Sequence, residues 1–179
     1  CIAGFCHRLP GARPHRMNTA ADRSGWLYDG GARRFIALGY LPWLAGLSPI
    51  WEIAHLPLYT IWDEASPGYV AFAVAHCTVG DLLIGAVSLA LVLTVAREGR
   101  LSSWHWRRIA LFTALAGLAY TAFSEWLNVA VLQTWAYSPR MPVIELVGVR
   151  LGASPLLQWT VLPPLALYMG SRSLHRKPR

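Results

Sequence analysis

The sequence predicts an all-α polytopic membrane protein, a bundle of four transmembrane helices over about 35–61, 69–96, 109–135 and 154–170. Three observations carry this expectation. Of 179 residues, 55% are hydrophobic and only 14% charged, with a mean hydropathy of +0.37, whereas soluble domains carry about 25% charge. The charges sit in short blocks, separated by uncharged runs near or above the roughly 20 residues that a spanning helix needs. The basic residues also fall in alternate connections, which is the pattern that sets membrane orientation.

Arg8, Arg13, Arg16, Arg23, Arg33 and Arg34 precede the first span. Arg97, Arg100, Arg107 and Arg108 lie between the second and third, and Arg172, Arg176, Lys177 and Arg179 follow the fourth. The other two connections hold no basic residue between Asp63 and Gly68, and Arg140 and Arg150. Both termini are therefore expected in the cytoplasm. Residues 1–34 read as a basic, disordered cytoplasmic segment, 35–170 as the transmembrane domain and 171–179 as a basic tail. Residues 1–34 contain no apolar stretch of the kind a cleaved signal needs, so the first span is expected to direct its own insertion. The chain opens at Cys1, and Met17-Asn18-Thr19 has the look of a translational start, so residues 1–16 are expected to be an upstream extension or a fragment edge.

The net charge of +7 lies beside membrane segments, where it sets topology and meets anionic headgroups. The expected partner is the lipid bilayer, not nucleic acid. Cys1, Cys6 and Cys77 have no zinc-finger spacing, and Cys6-His7 lacks the second cysteine of a c-type haem motif. Cys77 is expected to fill core space as a small hydrophobe.

The first span carries Ser48, Glu52, His55 and Tyr59 at steps of four, three and four, which places them on one helix face. Pro42, Pro49 and Pro57 make it an irregular helix whose freed carbonyls need other partners. The second span begins after Ser66-Pro67-Gly68 and contains His76-Cys77-Thr78-Val79-Gly80-Asp81. His76 is five residues before Asp81, so the two point about 140° apart. Gly80 and Gly85 are expected to admit a close neighbour. The third span shows Ala110, Ala114, Gly117, Thr121, Glu125 and Asn128 on one stripe, small residues first and polar ones last. It exits through Trp135-Ala136-Tyr137, an aromatic interface anchor ahead of a rigid external loop. The fourth span supplies Gln158 and Trp159 near its outer start, and Pro163-Pro164 are expected to break or bend it.

Depth ties these residues together. Counted from the outer span ends, Glu52 and Glu125 fall about 15 Å deep and His55, His76 and Asn128 about 10 to 12 Å. Asp81 is deeper and Gln158 shallower, while the cytoplasmic half is nearly all Leu, Ala and Val. One shared polar cavity opening outward follows, with Glu52, His55, His76, Asp81, Glu125 and Asn128 as its candidate catalytic residues.

Three functional readings compete. The first is an intramembrane enzyme acting on a lipid or isoprenoid, with Glu52, Asp81 or Glu125 donating a proton and His55 or His76 as base. Removal from water favours the neutral form of a carboxyl, which is what a proton donor requires. The second is a proton- or ion-linked transport component, against which the apolar inner half counts. The third is an accessory subunit gripping partner membrane helices. The sequence names no cofactor. Glu52-Ile53-Ala54-His55 is the ligand pair of di-iron bundles, which need it twice, and it occurs once here. Glu52, His55, His76, Asp81 and Glu125 are nevertheless of a ligand type suited to one zinc, manganese or iron ion.

Several runs, among them Trp51-Glu52, His76-Cys77-Thr78-Val79-Gly80-Asp81, Ser124-Glu125-Trp126-Leu127-Asn128 and Pro155-Leu156-Leu157-Gln158-Trp159, resemble small four-helix bacterial inner-membrane proteins. Those carry no assigned activity, so the likeness implies an inner-membrane bundle and no reaction. Glu125 and Asn128 followed by Trp135 and Tyr137 are similar to the lycopene cyclase-type membrane domain, whose acid-catalysed chemistry on a polyene fits the enzyme reading. That similarity covers about 120–142 and lacks the paired-carboxylate motif associated with the family.

Overall fold

The computed structural model describes residues 25–146 and 148–175, and within them the chain is mostly helical. The expected extension over 1–16, the arginines before residue 25, Cys1, Cys6 and the basic end at 176–179 lie outside the described residues. Residues 25–34, expected to be disordered, are instead folded. A 3-10 turn at Trp26–Tyr28 leads into α1, Gly30–Phe35, whose N-terminus is capped by Asp29 accepting from the Ala32 amide at 2.7 Å. That bond satisfies one of the amides every helix start leaves without a partner.

The first long helix is irregular, as its prolines require. From α1 the chain passes through a π turn at Ile36–Tyr40 into α2, Leu41–His55, with Pro42 in its first turn and Pro49 inside it. Pro57 sits in a 3-10 turn at Leu56–Leu58, and the backbone is extended at Tyr59. A single turn, α3 at Ile61–Glu64, follows. The helix therefore stops short of the expected end at 61. Ser48, Glu52, His55 and Tyr59 are all buried, so the spacing placed them together although Tyr59 lies beyond the helix.

Helix α4, Pro67–Val95, starts where Ser66 caps the Tyr69 amide and proline takes a first-turn position that needs no donor. It ends with Arg97 at φ 53 and the Glu98 amide donating back to the Leu93 carbonyl, a left-handed stop of the Schellman kind. Helix α5, Trp106–Glu125, changes into a π turn at Trp126–Val131 immediately after Glu125. Two antiparallel strands come next, β1 at Val143–Leu146 and β2 at Val149–Gly152, pairing Val143 with Gly152 and Glu145 with Arg150, with Gly148 at φ 76 in the turn. This hairpin was not expected from the sequence. Helix α6, Ala153–His175, runs unbroken through Pro163 and Pro164. The expected break does not occur, because the proline φ is compatible with helix and two missing amides do not separate a segment packed on both sides.

Helix α2 packs against α4 and α6, and α5 packs against the same two. The Trp26 indole donates to Thr94 and the Trp43 indole to Ser173, so the chain's described ends and the α4–α5 connection share one pole of the molecule. There Phe35 stands edge-on to Trp104 and Trp106 at 5.7 and 5.1 Å, over a core that includes Leu89, Leu93, Ile109 and Leu167. At the other pole Tyr59 and Tyr137 form an isolated antiparallel bridge, and the Ser138 hydroxyl and amide donate to the carbonyls of Pro57 and Leu58.

Two segments, Pro67–Val95 and Trp106–Val131, are long and apolar enough to cross a membrane. Their outward faces are apolar too. Phe72, Leu83 and Val87 on α4 are 62%, 63% and 65% exposed, and Leu111, Phe112 and Phe123 on α5 are similarly bare. Glu52, Asp81 and Glu125, by contrast, face inward. Gly117 admits the Trp159 ring against the α5 backbone: a Cβ there would lie 2.0 Å from Trp159 Cε3. Gly85 similarly receives the Leu44 side chain, whereas Gly80 faces open space and not a neighbouring helix. Gly117→Ala should therefore destabilise the protein by about 1–3 kcal/mol through overpacking, and Gly80→Ala should be neutral or slightly stabilising because alanine favours helix. Thermal unfolding of both variants in detergent micelles checks the contrast.

Candidate functional site

A cavity of about 570 Å³ lies between the long helices, at the pole where Tyr59 meets Tyr137. Its polar wall combines Glu52 and His55 from α2, Asp81 from α4, Glu125 from α5 and Gln158 from α6. Phe72, His76 and Tyr120 line its exposed rim, and Trp159 closes part of the opposite side. The four helices thus deliver their polar residues to one place, as the depth argument required.

Two hydrogen-bonded groups make up the wall. In the first, Gln158 Nε2 donates to Glu52 Oε1 at 3.1 Å and to Asp81 Oδ2 at 2.6 Å. Glu52 Oε2 meets His55 Nε2 at 3.1 Å, one helical turn along, and His55 Nδ1 meets the Ser154 hydroxyl at 3.2 Å. The Ser48 hydroxyl lies beside Asp81. In the second, Glu125 accepts from the Tyr59 hydroxyl at 3.4 Å and, through its other oxygen, from the Tyr137 hydroxyl. Tyr137 in turn accepts the Gly152 amide at 2.8 Å. The aromatic rings of His55, Tyr59 and Tyr137 pack in sequence, with centroids 5.4 and 5.7 Å apart, and join the two groups.

Local structure explains each placement. The i, i+3 spacing of Glu52 and His55 puts both groups on one face of α2. Glu125 is the last residue of α5 before the π turn, and such turns re-aim side chains, often at functional sites. Strand β2 of the hairpin packs against α5, its π turn and α6, and the small Gly152 leaves room for the Tyr137 ring, whose Cε1 would be only 3.0 Å from a Cβ at that position.

Four of the six sequence candidates, Glu52, His55, Asp81 and Glu125, are buried in this network. The other two differ. His76 is exposed at the rim and stacks on Phe72 at 5.7 Å, consistent with its angular offset from Asp81. Asn128 lines the cavity, but its amide donates to the Ser124 carbonyl at 2.9 Å and accepts from Thr134 at 2.8 Å, which fastens the π turn. Cys77 lines the cavity beside Glu52 and does not fill a core gap. Among the described residues no three His, Cys, Asp or Glu side chains form a metal-ligand set, so Glu52, His55, His76, Asp81 and Glu125 are not arranged as the single coordination sphere their types allowed. Tyr59, Tyr137 and Ser154 were not singled out as site residues. For Tyr59 the shared face with Glu52 was the available signal; for Tyr137 and Ser154 the sequence offers none.

Comparison with protein families, with curated proteins and with solved structures gives no match for this chain.

Burial, reinforced by the Glu125 carboxyl that it donates to, pushes the Tyr137 phenol above the ordinary tyrosine range. The neutral phenol is the form that donates, so the bond to Glu125 is intact below the ordinary tyrosine value of about 10. A raised folded-state pKa means stability is lost only as pH climbs beyond that value. Tyr137→Phe should leave Glu125 with one phenolic donor and cost about 1–3 kcal/mol. Unfolding followed from neutral to strongly alkaline pH should show a shallower alkaline decline in the variant than in the parent protein.

Proposed function

We propose that the chain is a four-span membrane protein of a bacterial inner membrane, with both termini cytoplasmic, and that its outer cavity is the active site of an enzyme acting on a lipid or isoprenoid by acid–base chemistry. The membrane reading is supported by the inverted distribution of side chains. Apolar residues cover the outward faces of α4 and α5, while carboxyls point inward, an arrangement that water would not stabilise and a bilayer does. The Arg-rich pole holds the described ends and the α4–α5 connection, and the pole with the cavity carries Arg140 and Arg150 alone among the described basic residues. This charge asymmetry supports an outward-facing cavity.

One observation carries the enzyme reading: three carboxyls line the cavity with two imidazoles, one of them, His76, out at the exposed rim, and with no lysine or arginine among the lining residues. Two imidazoles, only one of them buried beside the acids, cannot neutralise three carboxylates, and unpaired buried charge is expensive. The wall therefore holds protons, next to an apolar rim of Phe72 and Tyr120 through which a hydrocarbon chain can enter. Asp81, paired with Glu52, is assigned as the proton donor, His55 as the group that accepts or returns a proton, and Glu125 as the carboxyl facing developing positive charge. The core of Leu89, Leu93, Ile109 and Leu167 seals the other pole and supports a dead-end site over a through-path.

Reporter fusions at Ser66 and Arg100 should read outside and inside respectively, and the reverse pattern would overturn the topology. For the chemistry, lipids extracted from purified parent protein and from Glu52→Gln and Glu125→Gln should be compared by mass spectrometry. The variants are expected to accumulate a bound lipid that the parent converts. Identical lipid profiles in all three would contradict the enzyme reading and favour an accessory subunit.

A further inference from the structure

We propose that Gln158 and Tyr137 are positioning residues that divide the three carboxyls into two roles: Glu52 and Asp81 as a pair holding one proton, seated on Asp81, and Glu125 as a fixed carboxylate. The assignment deepens the proposed active site and rests on that cavity being the working site. It follows from which atoms face donors.

The Gln158 nitrogen has two N–H bonds and spends them on one oxygen of each acid, Glu52 Oε1 at 3.1 Å and Asp81 Oδ2 at 2.6 Å. Two carboxylates drawn to one amide nitrogen repel each other unless a proton separates them. Glu52 Oε2 already faces His55 Nε2 at 3.1 Å. With the Ser154 hydroxyl donating to Nδ1, the imidazole carries its proton on Nε2 and Glu52 accepts it. Both Glu52 oxygens and Asp81 Oδ2 are thus occupied as acceptors. Asp81 also lies within hydrogen-bond reach of Glu52 itself, with the Ser48 hydroxyl beside it; with Glu52 accepting at both oxygens, the proton between the two acids is assigned to Asp81.

Glu125 differs in kind. The Tyr137 oxygen receives the Gly152 amide at 2.8 Å, so its own hydrogen points to Glu125 Oε2. The Tyr59 hydroxyl addresses Oε1. Two phenolic donors on the two oxygens of one carboxyl work against the cost of burying its charge, because hydrogen bonds to a charged acceptor are stronger than neutral ones. The hairpin thereby fixes the orientation of a carboxylate, while α6, through Gln158, fixes the acid opposite it.

Infrared spectroscopy of the purified protein in lipid nanodiscs at neutral pH tests the division without any assay of turnover, so its failure is separable from failure of the enzyme reading. The protonated-carboxyl C=O band should shift when aspartate is labelled with carbon-13 at its carboxyl, and should not shift when glutamate is so labelled. Asp81→Asn should remove the band, Gln158→Leu should move it, and Tyr137→Phe should add a second band as Glu125 loses its oriented donor. Because isotope labelling leaves the chain unaltered, the result does not depend on a variant folding. A band that responds to labelled glutamate, that survives Asp81→Asn or that vanishes in Glu125→Gln would overturn the assignment.

Discussion

One amide nitrogen, Gln158 Nε2, holds carboxyls from two other helices, and the geometry of the polar wall depends on it. Its contacts with Glu52 and Asp81 connect α6 to α2 and α4 at the same depth. Away from water, an acid without a donor costs several times what a satisfied one does. Each of the three helices is consequently confined in rotation, since turning any of them would strand a carboxyl in an apolar setting. The second tie, from Glu125 to Tyr59 and Tyr137, adds α5 and the outer connections to the same arrangement. Packing of small residues completes it, with Gly117 against Trp159 and Gly85 against Leu44.

The same interactions determine what the site can do. The network keeps acids close together without cationic side chains, and protons must supply the missing positive charge. It also keeps those acids beside an opening rimmed with aromatic and aliphatic groups. In the proposed enzyme, such a wall would receive a substrate that is mostly hydrocarbon and that gains or loses a proton during its conversion. The Phe35, Trp104 and Trp106 cluster at the far pole has a structural part, closing the core where the α4–α5 connection turns.

Much of this was legible in the sequence, for identifiable reasons. Ser48, Glu52, His55 and Tyr59 could be grouped because helical spacing is a local property, and Glu125 and Asp81 could be added because depth along an apolar run is easily counted. The same spacing argument correctly separated His76 from Asp81. What remained hidden depends on tertiary contacts. Nothing local distinguishes Gln158 from an ordinary interhelical donor until Glu52 and Asp81 are seen on either side of it. Tyr137 read as an interface anchor because its partners, Glu125 and the Gly152 amide, are brought to it by a hairpin that the sequence reading passed over. That hairpin had a signal, β-branched residues on both sides of Gly148, masked by its place between two apolar spans. Asn128 lines the cavity as its stripe implied, but its amide also bonds Ser124 and Thr134 around the π turn, a local engagement that spacing alone does not show. The prolines at 163 and 164 suggested a break because helix disruption was judged from the backbone alone, without α2 and α5, which pack on α6 and keep it continuous.

The account stands or falls on the claim that the protein is turned outward to lipid, with its acids enclosed. Spin labels at Leu83 and Val87, introduced with Cys1, Cys6 and Cys77 replaced, report this directly by electron paramagnetic resonance in lipid nanodiscs. Both sites should collide readily with dissolved oxygen and be shielded from a water-soluble nickel chelate. Strong collision with the nickel chelate at both positions would place the apolar faces in water and contradict the account.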